Sequence, residues 1–265
     1  MNLTLRACIA VFFLGLLFIC FRHPTYSKKE SVEVFINHYS ELRRRNVLRI
    51  EAAYCDYPSV VSITVMCAGE SCFLPDEFTC PKTRVLKVSR NLFHRFQECS
   101  DVKSVVLSND DDILLSEWAL ETMLAHYERT PDAIVGPYGR KVDHGSYTNP
   151  WHSIEENVAL TNVALVPCNL IPLWLKWRDA EEYISTAKGG CEDILLNMLS
   201  NKIASRAIIE PKWEMLRTID TKLEDNSGGL HGKSKDHWDE YRDECVLWGM
   251  LNLKPFLRDI FYSIH

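Results

Sequence analysis

The feature that most constrains this chain is an apolar strand pattern that runs almost directly into three carboxylates. Residues 102–107 (VKSVVL) lead through Ser108 and Asn109 to Asp110-Asp111-Asp112. Carboxylates crowded at a strand end repel one another and lose hydration, so the fold must bring cations or strong donors to them. The surrounding chain alternates strand and helix patterns. Residues 32–36 are a short β-branched run, and 42–54 have a basic, helix-favouring composition with apolar Leu42, Val47, Leu48, Ile50 and Ala53. Residues 59–68 (SVVSITVMCA) are apolar and β-branched, as in a strand covered on both faces. Further strands are predicted at 85–88 and 133–135, and a short helix at 91–98. Ser116 is placed to cap a helix of about 14 residues that stops before Thr130-Pro131. Strands separated by helices predict an α/β fold with a mostly parallel, Rossmann-like sheet covered by helices. In such sheets ligands bind beyond the carboxyl ends of the strands, which puts the triplet at the site.

Composition narrows the function classes. With 265 residues and 46% hydrophobic content, one sizeable core is expected rather than disorder. A net charge of −6 supplies no global positive field for a nucleic-acid backbone, so no nucleic-acid partner is expected. Ten cysteines point to an oxidising compartment. Residues 7–21 (ACIAVFFLGLLFICF) are apolar between basic flanks, near the lower length limit for crossing a hydrocarbon core of about 30 Å. The expectation is an uncleaved signal anchor with a cytosolic tip over 1–22, a short stem at 23–31, and a lumenal domain over 32–265. A cleaved signal peptide is the rival reading. The anchor implies a single-pass type II membrane protein of the secretory pathway, in Golgi or endoplasmic reticulum.

For the triplet, a hard divalent ion such as Mg²⁺ or Mn²⁺ is the economical counter-charge, because it accepts carboxylate oxygens and keeps places for substrate phosphates. On a turn leaving a strand, Asp110 and Asp112 are expected to point one way and Asp111 aside. The plain alternative is a solvated turn that lends negative charge to the helix starting near Ser116. A calcium loop lacks its glycine and distal glutamate here, and no paired Cys/His spacing suggests zinc.

Four motifs then occur in order: 105–115 (VVLSNDDDILL), 134–141 (IVGPYGRK), 191–197 (CEDILLN) and 238–255 (WDEYRDECVLWGMLNLKP). Together they resemble the exostosin-like glycosyltransferases of family 64, across roughly residues 31–265. The resemblance implies a GT-A fold and a retaining transfer of an N-acetylhexosamine from a UDP-sugar to a glycan acceptor, of glycosaminoglycan type, aided by Mn²⁺. By the same resemblance Asp110, Asp111 and Asp112 match the metal and nucleotide motif, with Asp112 and Asp110 as metal ligands. Glu192, Asp193 and Arg242 match catalytic positions. Arg95, Asn91, Arg140 and Tyr39 match nucleotide-sugar contacts. Cys191 and Cys245 fall where the family pairs two cysteines.

Cys72 and Cys80 are the second expected bridge, and Cys55, Cys67, Cys99 and Cys168 are readable as buried thiols. The pattern departs from the family at the donor end. His38-Tyr39-Ser40-Glu41 keeps only the tyrosine of a Thr-Tyr-Asn-Arg-like turn, so Glu41 sets an anion where a cation is expected, unless Arg43 or Arg44 substitutes. Cys67-Ala68-Gly69 stands where paired asparagines are expected, and Asn162-Val163-Ala164 where a Gly-Ala pair is. A catalytically inactive family member that binds glycan or a partner is therefore the alternative reading.

Overall fold

The computed structural model describes residues 31–68, 72–99, 104–148, 157–186, 190–203, 216–218 and 238–263. Residues 31–265 fall in one compact unit. Strand β1 (Val32–His38) is followed by a single 3₁₀ turn (Glu41–Arg43) and helix α1 (Arg44–Cys55). Strands β2 (Val60–Cys67) and β3 (Thr83–Lys87) come next, and then a 3₁₀ turn at Leu92–Arg95. Strand β4 (Val105–Asp110) ends inside the acidic triplet. A short β5 (Ile113–Leu115) leads to α2 (Glu117–Tyr127), whose cap Ser116 accepts a hydrogen bond from Ala119 N at 3.2 Å. The hairpin β6–β7 (Gly139–Asp143, Ser146–Thr148) precedes β8 (Val158–Ala159) and β9 (Val163–Pro167). Helices α3 (Ile171–Lys176), α4 (Arg178–Thr186), α5 (Glu192–Ile203) and α6 (Trp238–Ser263) follow, with β10 (Leu216–Thr218) between the last two.

The main sheet has the order β3-β2-β1-β4-β9, parallel except for β9, which runs against β4. The chain builds outward from β1 to β3, then crosses to the other side of β1 for β4. The order therefore reverses between β1 and β4, the place where open α/β sheets bind ligands. Register pairs Asn37 with Asp110, so His38 and Tyr39 leave β1 beside the triplet.

The period-two alternation of β1 and β4 feeds two cores. Val32, Val34 and Ile36, with Val105 and Leu107, pack under α1 and α2 against Val47, Ile50, Tyr54, Leu120 and Met123. Phe35 and Val106 point to the other layer, among Phe93, Trp174, Trp177 and the apolar faces of α5 and α6. Trp174 and Trp177 are fully buried in this layer.

Several expectations change. The segment 91–98 forms one 3₁₀ turn rather than a helix, and of 133–135 only Val135 bridges a strand, at Leu165. Cys72 pairs with Cys67 and Cys80 with Cys55, so the Cys72–Cys80 bridge is incorrect. Cys99 bonds Cys168, so Cys55, Cys67, Cys99 and Cys168, expected as thiols, are all in disulfides. Cys55 ends α1 against the loop that carries Cys80, and Cys67 ends β2, so each meets its partner through chain reversals that spacing alone does not reveal. Cys191–Cys245 is the pair that the resemblance implied.

The expected membrane anchor gains no support from the structure. Among the described residues no helix is long and apolar enough to cross a membrane, and residues 1–22, where the anchor was expected, lie outside them. Membrane attachment, the type II orientation and the Golgi or endoplasmic reticulum placement rested on that anchor and are not carried further.

Helix α6 packs closely on α5. A Cβ added at Gly249 would sit 2.6 Å from Met198 Sδ and 2.8 Å from Leu195 Cδ2. Gly249→Ala should therefore cost about 1–2 kcal/mol through overpacking, although alanine favours an exposed helix by about 1 kcal/mol. Urea denaturation checks this, and a raised midpoint would contradict it.

Candidate active site

The acidic triplet does not fan out as strand alternation suggested. Strand β4 ends at Asp110, and Asp111 and Asp112 lie on a turn, so the period of two stops there. Asp110 goes to Arg95. Asp111 and Asp112 share Arg43, whose Nη1 lies 2.9 Å from Asp111 Oδ1 and 3.0 Å from Asp112 Oδ2. Asp111 is 1% exposed, and its Oδ2 meets His38 Nδ1 at 3.0 Å and accepts from Tyr39 N at 3.3 Å. The protein thus uses Asp111 to fasten the triplet to the end of β1. Asp110 and Asp112 keep 27% and 30% of their side chains in solvent.

Arg95 joins two distant parts of the sequence. One Nη donates to Asp110 and the other to Glu192 Oε1 at 2.8 Å, with Arg95 itself 3% exposed. Glu192 and Asp193 form the first turn of α5, where the helix dipole favours negative charge. Asp193 Oδ1 accepts from Ile194 N at 2.8 Å and from Arg242 Nη1 at 2.6 Å. Arg242 has Asp239 and Glu244 close by in sequence. It is buried against Asp193, and its guanidinium lies 5.2 Å from the Tyr147 ring. Asn197 locks α5 in place, donating to the carbonyls of Ala159 and Asp193 and accepting from Ala159 N.

Five carboxylates here (Asp110, Asp111, Asp112, Glu192, Asp193) face three guanidiniums (Arg43, Arg95, Arg242), an excess of negative charge. Burial, reinforced by Asp112, Asp111 and Glu192 and opposed by Arg95, pushes Asp110 up to about 7. Burial also raises Asp112 and Asp193, against the pull of Arg43 and Arg242. Tyr39, enclosed beside Arg95 and Asp110, has its phenol raised by burial. Glu192 Oε2 is buried without a hydrogen-bond partner among the described residues.

Other expected residues lie apart. Asn91 caps its 3₁₀ turn through Phe93 N and reaches the Glu181 carbonyl, so its side chain serves that turn rather than the acidic cluster. Arg140 donates to its neighbour Gly139 and stands near Tyr147. Sequence reading missed His38 and Tyr147 as members of the site. His38 was legible, since it ends a strand whose carboxyl end faces the same cleft. Tyr147 lies on a hairpin that no periodic signal announced.

Residues 33–249 match the model of the glycosyl transferase family 64 domain. Among curated proteins nothing matches the sequence. Of solved structures, Staphylococcus aureus TarS 1–349 is similar at 16% identity over 69% of this chain, with a TM-score of 0.43. TarS 1–349 in complex with UDP-GlcNAc is similar at 16% identity over the same share, with a TM-score of 0.44. The chain spans 58% and 56% of the two TarS chains. Francisella tularensis 2-C-methyl-D-erythritol 4-phosphate cytidylyltransferase (IspD) shares 11% identity over 73% of this chain and 96% of its own, with a TM-score of 0.51, a likeness of fold alone.

The raised carboxyl of Asp110 fixes a sign for stability. A folded value of about 7 lies above the ordinary 3.8, so the folded state holds this proton more tightly than the unfolded chain. Its contribution is full below about pH 4 and is lost as pH rises through 7. Chemical denaturation between pH 4 and 8 should show this decline in the wild type and a shallower one in Asp110→Asn. Identical slopes would contradict the assignment.

Proposed function

The chain belongs to glycosyl transferase family 64, and on that premise we propose that it moves an N-acetylhexosamine from a UDP-sugar to a glycan acceptor of glycosaminoglycan type, with retention of configuration and with Mn²⁺. The observation that carries the reading is the Arg95 bridge, which joins the triplet at the end of β4 to the acidic pair at the start of α5. Membership of the family alone would leave these two acidic groups as separate motifs.

The residues suit the metal. Asp110 and Asp112 are hard oxygen donors, each partly open, in a cluster with surplus negative charge. Among the described residues no group of three or more His, Cys, Asp and Glu side chains is placed as a full ligand cage. One or two carboxylates plus water and phosphate oxygens is the habit of Mg²⁺-like ions. Bound there, the ion would neutralise charge on the departing diphosphate.

The remaining roles follow from position. Tyr39 and Arg95 border the nucleotide sugar where β1 and β4 end. Glu192 Oε2, buried with an unused acceptor site, takes a hydrogen bond from a sugar hydroxyl. Asp193, held by Arg242 and Ile194 N, orients the acceptor hydroxyl, and its raised carboxyl is better matched to taking up a proton than an ordinary aspartate. Arg242 adds a fixed cation to offset charge on the leaving group.

One observation favours the second reading, a family member that binds glycan or a partner without turnover. Asp112, the expected metal ligand, already has a guanidinium on it.

Calorimetry of the full chain with UDP separates the two. The transferase reading expects UDP binding that requires Mn²⁺ and weakens at least about tenfold in Asp112→Asn. Glycan binding that survives Asp112→Asn and Asp193→Asn together, with no UDP binding, would replace it with the second reading.

A further inference from the structure

Arg43 is in contact with Asp112, one of the two expected metal ligands. It closes the 3₁₀ turn between β1 and α1, and one nitrogen touches both Asp111 and Asp112. The two carboxylates differ in their freedom. Asp111 is almost wholly buried and is also held by His38 and the Tyr39 amide, so it cannot leave. Asp112 keeps 30% of its side chain in solvent, and Arg43 keeps 21%. The Arg43–Asp112 contact is therefore the exchangeable half of the bridge. A guanidinium does not lose its proton in the working pH range, so only a competing cation or a competing anion can break this contact.

We propose that Arg43 is a built-in counter-cation that competes with the divalent ion for Asp112, and that it passes to the diphosphate when nucleotide arrives, making ion and nucleotide binding mutually dependent. The inference rests on the reading of the site as a UDP-sugar site. An ion approaching alone meets a positive group within contact distance of its ligand, and repulsion at that range weakens binding. A diphosphate reverses the balance: its oxygens accept the planar guanidinium, Asp112 is released to the ion, and each ligand raises the affinity for the other by the same factor. Glu41, the anion that seemed out of place in this turn, lies 3.4 Å from Arg44, and Arg44 is engaged by Glu77 and stacked over Phe73. Arg44 is thus committed elsewhere, and Arg43 is the arginine of this turn that faces the triplet. On this account Arg43 acts through Asp112 before nucleotide arrives and touches the diphosphate afterwards.

The test is Mn²⁺ binding to the full chain, read from the paramagnetic resonance signal of free Mn²⁺, with and without UDP, in wild type and Arg43→Gln. Without UDP, the variant should bind Mn²⁺ about tenfold more tightly than wild type. With UDP, the gain in Mn²⁺ affinity seen in wild type should shrink severalfold in the variant. A merely structural Arg43 would not move these two quantities in opposite senses. Equal or weaker Mn²⁺ binding by the variant, an unchanged gain with UDP, or no Mn²⁺ binding by either protein would overturn the proposal. If UDP binds neither protein, the transferase reading and the coupling fall, while the Mn²⁺ arm still decides the competition. Should near-ultraviolet circular dichroism show that Arg43→Gln fails to fold, Arg43→Lys takes its place. It keeps a charge for buried Asp111 but is shorter and so holds Asp112 less closely, and about threefold tighter Mn²⁺ binding is expected.

Discussion

Arg95 is the interaction on which the rest of the site depends. It is almost fully buried, and it holds Asp110 from the end of β4 and Glu192 from the start of α5 at once. A buried guanidinium is tolerable only with such partners, and buried Glu192 only with such a cation. The ion pairs therefore fix the distance between a strand end and a helix start that lie some 80 residues apart in the chain. Arg242 repeats the arrangement one residue further on, tying Asp193 to α6, and the Cys191–Cys245 bridge ties the same two segments covalently. The acidic pair is thus held from two sides before any substrate binds, which is the kind of preorganisation that catalytic positioning needs.

The charge arrangement has a direction. Negative groups exceed positive ones, and burial, with the neighbouring carboxylates adding to it, raises the carboxyl of Asp110. A structure built only for stability gains little from such an excess, because replacing buried ion pairs by apolar groups is often neutral or stabilising. A site that receives a divalent ion together with a phosphorylated ligand has a use for it. The His38, Tyr39 and Arg43 contacts to Asp111 then have a clear purpose: they spend one carboxylate so that the other two stand at fixed positions on the turn.

Much of this was legible in the chain. The β-branched runs separated by helix-favouring segments mark the strands that pair in parallel, and the rule that ligands gather at strand carboxyl ends put the triplet at the cleft. Arg242 shows the limit, since its sequence neighbours offered surface partners and only the packing of α6 on α5 turned it inward. The cysteines show another. Cys72 and Cys80 are close in sequence, but Cys80 is brought to the end of α1 by the hydrogen bonds from its amide and from Thr83 to buried Glu51. The hairpin that carries Tyr147 turns through His144 and Gly145 at positive φ, a local backbone choice with little periodic signature.

The most direct measure of the central claim is release of UDP from UDP-N-acetylhexosamines by the full chain with Mn²⁺ and a glycan acceptor, comparing wild type with Arg95→Met. Methionine keeps an unbranched apolar stem without the guanidinium, and the account predicts steady UDP release by wild type and loss of at least about a hundredfold in the folded variant. Equal rates, or no release by wild type from any such donor, would contradict it.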